Sequence, residues 1–206
     1  MIQAISDLSG RPLILLGAGG HARVVAEAAT ACGGEIRGIC DPSLFEQGVA
    51  VWHGIPVLGG DDYLESINPD DVWLLNGVGM MPGNRVRYSV YRRLSQLGFE
   101  FPPLVHPASW VSGSATLGLG AQVMAGAIVQ PGADIGCGSI INTGSSVDHD
   151  SVIGAHCHIA PGATLCGDAR VADHAFIGAG ATVIQGVSIG AEAFVRAGQV
   201  ITRDVS

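Results

Sequence analysis

The chain has 206 residues, enough for one large domain or two small ones. Its 48% hydrophobic and 14% charged residues favour a packed globular fold over disorder. The net charge of −8, in a chain without lysine, argues against a nucleic-acid or anionic-membrane surface, because phosphate binding depends on cationic side chains.

Targeting and redox signals point to the cytoplasm. No apolar run approaches the ~18 residues of a membrane span, and the N-terminal MIQAISDLSG lacks the basic flank and apolar stretch of a secretory signal. The five cysteines form no CxxC pair, and their odd number favours reduced thiols. We therefore expect a cytoplasmic protein that binds neither membrane nor nucleic acid.

The first half of the chain alternates between strand-like and helix-like segments. The predicted strands cover residues 13–17, 36–41 and 71–79, and the predicted helices cover residues 21–32 and 84–98. In the second helix, the apolar stripe is predicted to be Val86, Val90, Leu94 and Leu97. This order of elements is typical of a small α/β domain with a parallel sheet.

The sequence GAGGHA, residues 17–22, lies where the first strand enters the first helix. Backbone N–H groups and the positive end of a helix dipole converge there, which predicts a diphosphate cradle. The loop also matches the dinucleotide pattern GxGxxG/A, with Asp41 following the second strand. A full dinucleotide fold needs two mononucleotide halves, so residues 13–104 favour one nucleoside diphosphate over NAD. A tight turn without a ligand is the other interpretation.

From Val111 onward, an aliphatic residue recurs every six positions, and a small residue follows most of them four positions later. The aliphatic positions are Val111, Leu117, Val123, Val129, Ile135, Ile141, Val147, Ile153, Ile159, Leu165, Val171, Ile177, Val183, Ile189, Val195 and Ile201. This period predicts a parallel β-helix with three flat sides per coil. The aliphatic side chains are expected to point inward, and the small residues to fill the corners.

Asp148, His149 and Asp150 interrupt this apolar repeat. A solvent-facing corner tolerates any polar group, so a surface histidine is one interpretation. The corners of the other coils are expected to carry Gly, Ala or Ser. Carboxylates beside a histidine raise its pKa and fix its tautomer, as a general base requires. The triplet therefore also predicts a catalytic base.

The chain resembles a family of bacterial hexapeptide-repeat sugar acyltransferases, which includes N-acetyltransferases of nucleotide-linked 4-amino sugars and sialic acid O-acetyltransferases. The resemblance rests on GAGGHA, the hexapeptide repeat and INTGSSVDHDSVIG. It implies a left-handed β-helix, a homotrimer and acetyl-CoA bound between neighbouring prisms, without a metal. It also implies a nucleotide-sugar-binding α/β domain at residues 1–106 and a catalytic β-helix domain at 107–206.

The resemblance implies roles for individual residues as well. His149 would be the general base, and Asp150 would raise its basicity. The residues implied for acetyl-CoA are His158, Ala179 and Ala197, and those implied for the sugar nucleotide are Gly17, Gly19, Gly20, His21, Asp41, Asn84, Arg85 and Asn142. Arg196 and Arg203 are candidates for the CoA phosphates or are surface charges.

The predicted reaction is acetyl-CoA-dependent N-acetylation of the 4-amino group of a UDP-, dTDP- or GDP-linked 4-amino-4,6-dideoxy sugar. The alternatives are a sialic acid O-acetyltransferase, a non-catalytic trimer that binds nucleotide sugars, and an NAD(H)-binding protein. The histidines also raise the question of zinc, but the acids beside His149 suit a proton acceptor better than a neutral ligand. Packing explains Cys157, which occupies a small-residue position.

The family usually continues with a GVPA-like tail, whereas this sequence ends in RDVS. The last coil is therefore expected to be either uncapped or covered by a neighbouring subunit.

Overall fold

The computed structural model describes residues 8–206, which form two compact units. One unit contains residues 8–80 and 84–102, and the other includes residues 103–206. Within the described part of the chain, no helix is both long and apolar enough to cross a bilayer.

The first unit is an α/β domain built on a five-stranded sheet in the order β3-β4-β2-β1-β5. Its strands are β1 (Leu13–Leu16), β2 (Ile36–Cys40), β3 (Val51–Trp52), β4 (Ile55–Gly59) and β5 (Trp73–Asn76). Its helices are α1 (Gly20–Ala31), α2 (Pro42–Glu46), α3 (Asp61–Glu65) and α4 (Val86–Gln96), with a short 3-10 helix at Pro69–Asp71. Only the β3–β4 pair is antiparallel. The predicted parallel sheet is confirmed, while the β3–β4 hairpin and the short helices were not predicted.

The buried face of α4 differs from the predicted apolar stripe. Leu94 is buried and Val90 is partly buried, but Val86 and Leu97 face solvent. Arg87 is buried instead, seven residues before Leu94 on the same face of the helix. The prediction was wrong at the helix ends because it selected residues by hydrophobicity, whereas a buried arginine occupies the first turn.

The second unit is a parallel β-helix of two-residue strands arranged in three sheets, which we call faces A, B and C. Face A contains β7 (Trp110–Val111), β10 (Ile128–Val129), β13 (Ser146–Val147), β16 (Thr164–Leu165), β19 (Thr182–Val183) and β22 (Val200–Ile201). Face B contains β8 (Thr116–Leu117), β11 (Asp134–Ile135), β14 (Val152–Ile153), β17 (Arg170–Val171) and β20 (Ser188–Ile189). Face C contains β6 (Leu104–Val105), β9 (Gln122–Val123), β12 (Ile140–Ile141), β15 (His158–Ile159), β18 (Phe176–Ile177) and β21 (Phe194–Val195). The predicted hexapeptide architecture is confirmed, and Val105 shows that the repeat begins one side before Val111.

From Gly120 to Gly198, each corner of the coil is a two-residue turn whose second residue has a positive φ. Glycine occupies most of these positions because it adopts this conformation without a steric penalty. The expectation that the other corners carry only Gly, Ala or Ser was wrong. His156, Asp168, His174 and Glu192 occupy the same kind of position as Asp150. Short polar side chains tolerate this backbone, so a polar corner alone does not indicate a functional site.

The last residues of the chain continue the coil. Val205 bridges to Ile189 on face B and packs against the β-helix core, and the Ser188 N–H donates to the Asp204 carboxylate. The chain itself therefore covers part of the final coil.

Candidate active site

The glycine loop of the α/β unit leaves space for a ligand. Gly19 is the N-cap of α1, no side chain caps the helix, and its first turn contains no acidic residue. A Cβ placed on Gly19 or Gly20 would meet no atom within 4 Å. Gly17 differs, because its φ of 79° and the nearby Val78 side chain require glycine for the fold itself. The open helix N-terminus can accept an anion, as predicted for a diphosphate cradle.

Asp41 fixes this loop from the end of β2. One carboxylate oxygen accepts a hydrogen bond from the Ala18 N–H at 2.9 Å, and the other accepts one from the Leu44 N–H at 2.9 Å. Asp41 therefore caps α2 and holds the loop in shape. Each oxygen has a second lone pair that a ligand hydroxyl group could use.

Asn84 and Arg85, which the resemblance implies for the sugar nucleotide, lie at the start of α4. The Asn84 side chain accepts a hydrogen bond from the Val86 N–H at 2.8 Å, and the Arg85 guanidinium lies 5.9 Å from the centre of the Tyr88 ring. The arginine that reaches the loop after β5 is Arg87, which was not predicted. The structure shows that Arg87 is buried. The sequence signal that could have identified it is its spacing, three residues after Asn84 and seven residues before Leu94.

His149 and Asp150 form the corner between β13 on face A and β14 on face B. The His149 Nδ1 and an Asp150 carboxylate oxygen are 2.9 Å apart, and Asp148 accepts a hydrogen bond from the backbone N–H of His149. The hydrogen bond to Asp150 raises the pKa of His149, and the charges of Asp148 and Asp168 raise it further, while partial desolvation opposes them. Because Nδ1–H donates to Asp150, Nε2 carries the lone pair of a general base. Among the described residues, Nε2 has no hydrogen-bond partner.

The next coil supports this imidazole from below. A Cβ placed on Gly167 would lie 2.5 Å from both Cε1 and Nε2 of His149, so only glycine leaves room for the ring. The Asp168 N–H donates to the His149 carbonyl oxygen at 2.9 Å. Gly167 and Asp168 were missed, although the predicted coil of 18 residues puts residue 167 directly next to residue 149.

His158 and Asn142, both predicted as site residues, lie together on face C. The Asn142 amide oxygen accepts a hydrogen bond from the Thr143 N–H, so its nitrogen faces His158 Nε2 at 3.0 Å. This arrangement makes Nε2 the acceptor and assigns the ring proton to Nδ1. His158 is 8% exposed, its Nδ1 is buried, and its ring packs against Phe176. Within a single chain, therefore, Nδ1 of His158 is buried and Nε2 is paired with Asn142.

The predicted acetyl-CoA residues lie on a different side of the prism from His149. Ala179 and Ala197 are exposed and follow β18 and β21, at the corner between faces C and A. His158 projects outward from face C itself. In a triangular prism the corner between faces A and B lies opposite face C, so one chain does not bring His149 and His158 together.

The other histidines and cysteines lie apart from His149. The His156 and His174 rings stack at 5.4 Å on the corner between faces B and C. Within residues 8–206, no three His, Cys, Asp or Glu side chains are grouped so that they could hold a metal ion. Burial raises the pKa of the Cys157 thiol to about 12, so it carries no nucleophilic thiolate at neutral pH.

Comparison with known proteins agrees with both halves of this fold. Residues 12–94 match the PglD N-terminal domain, and residues 170–203 match the hexapeptide repeat of succinyl-transferase. The acetyltransferase domain of PglB from Neisseria gonorrhoeae is 38% identical over 96% of this chain and 94% of its own, with a TM-score of 0.88. This chain belongs to the hexapeptide-repeat acetyltransferases with a PglD-type N-terminal domain.

Two further solved structures share this fold. PerB, the perosamine N-acetyltransferase of Caulobacter crescentus, is 38% identical over 97% of this chain and 92% of its own, with a TM-score of 0.86. WeeI from Acinetobacter baumannii shares the fold at 24% identity, over 95% of this chain and 93% of its own, with a TM-score of 0.76. No curated protein sequence matches the chain.

Replacing Gly167 tests whether its contact with the imidazole ring positions His149. We expect Gly167→Ala to displace the imidazole and lower the turnover of the acetyltransferase by roughly 10²-fold, as a misplaced catalytic group does. Melting temperature should change little, since the displaced ring is exposed. Gly113→Ala is the matched control, because a Cβ there meets no atom within 4 Å. Wild-type turnover of Gly167→Ala would show that the position of His149 does not matter.

Replacing Asp150 tests the raised pKa. If His149 is the general base, it acts in its deprotonated form, and the acidic limb of the kcat/KM profile reports its pKa. Asp150→Asn removes the main cause of the increase and should move this limb to lower pH. It should lower kcat by roughly tenfold or less, since only basicity falls. Asparagine tolerates the φ of 59°, so folding is preserved. A limb that stays in place, as in the control Asp70→Asn, would contradict the role of Asp150.

Proposed function

We propose that the protein transfers the acetyl group of acetyl-CoA to the 4-amino group of a nucleotide-linked 4-amino-4,6-dideoxy sugar. The observation that carries this proposal is the His149–Asp150 pair with an open Nε2, above Gly167. Known structures of PerB contain CoA and GDP-perosamine, two of them in variants with one histidine replaced, and the PglB domain has been solved with acetyl-CoA. These relatives support the same substrate class for this chain.

In this proposal, residues 1–106 bind the nucleotide sugar and residues 107–206 perform the transfer. The sugar amine attacks the thioester carbonyl carbon, forming the C–N bond and then breaking the C–S bond. His149 Nε2 accepts the proton of the amine, and CoA leaves as the thiolate. A backbone N–H is the better candidate for stabilising the oxyanion, because Nδ1 of His158 is buried and Nε2 accepts a hydrogen bond from Asn142.

The reaction is tested by following thiol release from acetyl-CoA. The acceptors are UDP-, dTDP- and GDP-linked 4-amino-4,6-dideoxy sugars, with CMP-sialic acid and free sialic acid as the alternative substrates. Release with an amino sugar only supports the proposal. Release with sialic acid only would favour O-acetylation, and nucleotide-sugar binding without any release would favour a non-catalytic protein.

The same thiol-release assay tests the proposal that His149 is the general base. We expect His149→Asn to lower kcat by roughly 10²–10⁴-fold with the KM values of both substrates little changed, since only proton transfer is lost. His53→Asn is the matched control, because His53 is an exposed turn residue of the other unit that also has a positive φ. Near wild-type turnover of the His149 variant would assign proton removal to another group.

We further propose that the enzyme is a homotrimer whose sites form between chains. The support is the arrangement of one prism, in which His149 lies at the corner opposite face C. Closed cyclic assembly would bring that corner to face C and the Ala179 corner of a neighbour.

Mixed trimers test this assembly. His149→Ala and Ala179→Trp should each be inactive alone. Co-expressed in equal amounts, they should recover about a quarter of the wild-type activity, because random assembly pairs an intact His149 with an intact neighbouring face at that frequency. Mixtures without activity, or a monomer in light scattering, would locate the site within one chain.

A further inference from the structure

Arg87 is a buried cation at the start of α4. Its side chain is 2% exposed, and its Nη1 donates to the carbonyl oxygens of Asn76 at 2.7 Å and Val78 at 2.8 Å. The Asn76 side chain completes the clamp, because Nδ2 donates to the Arg87 carbonyl oxygen and Oδ1 accepts from the Val78 N–H. Arg87 therefore fixes the backbone of the loop that follows β5.

The charge of Arg87 is not neutralised by the protein around it. Among the described residues it forms no ion pair, and its Nε and Nη2 are buried without a hydrogen-bond partner. Burial lowers the pKa of Arg87 to about 9. A buried charge without a counterion is unfavourable, and two carbonyl dipoles compensate for it only in part. An anion supplied by a ligand would complete the compensation.

The clamp lies beside the glycine loop. β1 and β5 are neighbours in the sheet, so the loops that follow them leave the same carboxyl edge, where ligands of such sheets bind. A Cβ on Gly17 would lie 3.0 Å from Val78 Cγ2 and 3.5 Å from the Val78 nitrogen. One residue, Val78, thus links the guanidinium to the first glycine of the cradle.

We propose that Arg87 is a positioning residue for the nucleotide substrate, which holds the wall of the glycine loop and offsets the charge of the bound diphosphate. This inference rests on the proposed function. It explains how a chain without lysine provides positive charge near a diphosphate without exposing a cation at the surface. Since the charge is buried, solvent screens it less than an exposed arginine.

Three variants of the full-length protein separate charge from packing. Arg87→Met fills a similar volume without charge, and Arg87→Lys keeps the charge. Arg92→Met removes an exposed cation from the same helix and is the matched control. Calorimetry measures the affinities for GDP, UDP, dTDP and acetyl-CoA, and thermal melting measures stability.

We expect Arg87→Met to bind the preferred diphosphate roughly 10- to 100-fold more weakly, as the loss of a charged interaction does. Its melting temperature should fall only slightly, since removal of the buried charge offsets part of the loss of the hydrogen bonds to the Asn76 and Val78 carbonyl oxygens. Arg87→Lys should recover most of the affinity. Acetyl-CoA binding should not change in any variant. In the acetylation assay, KM for the sugar nucleotide should rise with kcat little affected.

Equal diphosphate binding by Arg87→Met and wild type would overturn this inference and leave the proposed function intact. Equal losses in the Lys and Met variants would also overturn it, because packing would then be the cause. If Arg87→Met does not fold, Arg87→Gln takes its place: diphosphate affinity that falls in Arg87→Gln but not in Arg87→Lys supports a role for charge, and equal affinity in these two variants contradicts it. A wild-type protein that binds none of the three diphosphates would overturn the proposed function together with the inference.

Discussion

The stacking of one inward-facing aliphatic residue on its counterpart in the next coil is the constraint on which the β-helix unit depends. Val147 pairs with Leu165 and Ile153 with Val171, and all four are buried. Because this stacking fixes the register, a residue on any corner has a defined neighbour 18 positions away. The contact between the His149 ring and Gly167, which are 18 residues apart, is a direct consequence of this register. The apolar core thus determines the geometry of a polar site without contributing an atom to it.

The corner backbone explains why polar residues alone are a poor guide to function. Most corners contain a residue with positive φ, and Asp150, Asp168 and His174 adopt this conformation in place of glycine. Room for a histidine ring does not distinguish the His149 corner, because Gly138 leaves room for the ring of His156 in the same way. The distinguishing feature is the carboxylate partner that the His149 imidazole has within its own turn. The pairing of a histidine with a carboxylate therefore indicates chemistry at this corner, and a polar corner alone does not.

These observations also show what could be predicted from the sequence. The β-helix could be predicted because every hexapeptide contains its own inward-facing aliphatic residue. The glycine loop GAGGHA could be predicted because its strand, loop and helix follow one another directly in the sequence. The β3–β4 hairpin and α2 and α3 were missed because elements of two to five residues give too few periods to detect. Arg87 was missed because hydrophobicity identifies a buried face only when that face is apolar. The Asn142–His158 contact spans 16 residues and depends on the coil closing.

The two units differ in the solvent exposure of the charged groups at their candidate sites. In the β-helix, the acids of the His149 corner are exposed, and they raise the pKa of His149, the base proposed to accept a proton from the substrate. In the α/β unit, the positive charge of Arg87 is buried and tied to backbone carbonyls, so it can attract an anion but cannot pair with an exposed carboxylate elsewhere. A base must be accessible because it reacts, whereas a cation that only orients a diphosphate gains from burial, since low dielectric surroundings strengthen its field. The exposure of each group therefore follows from the role proposed for it.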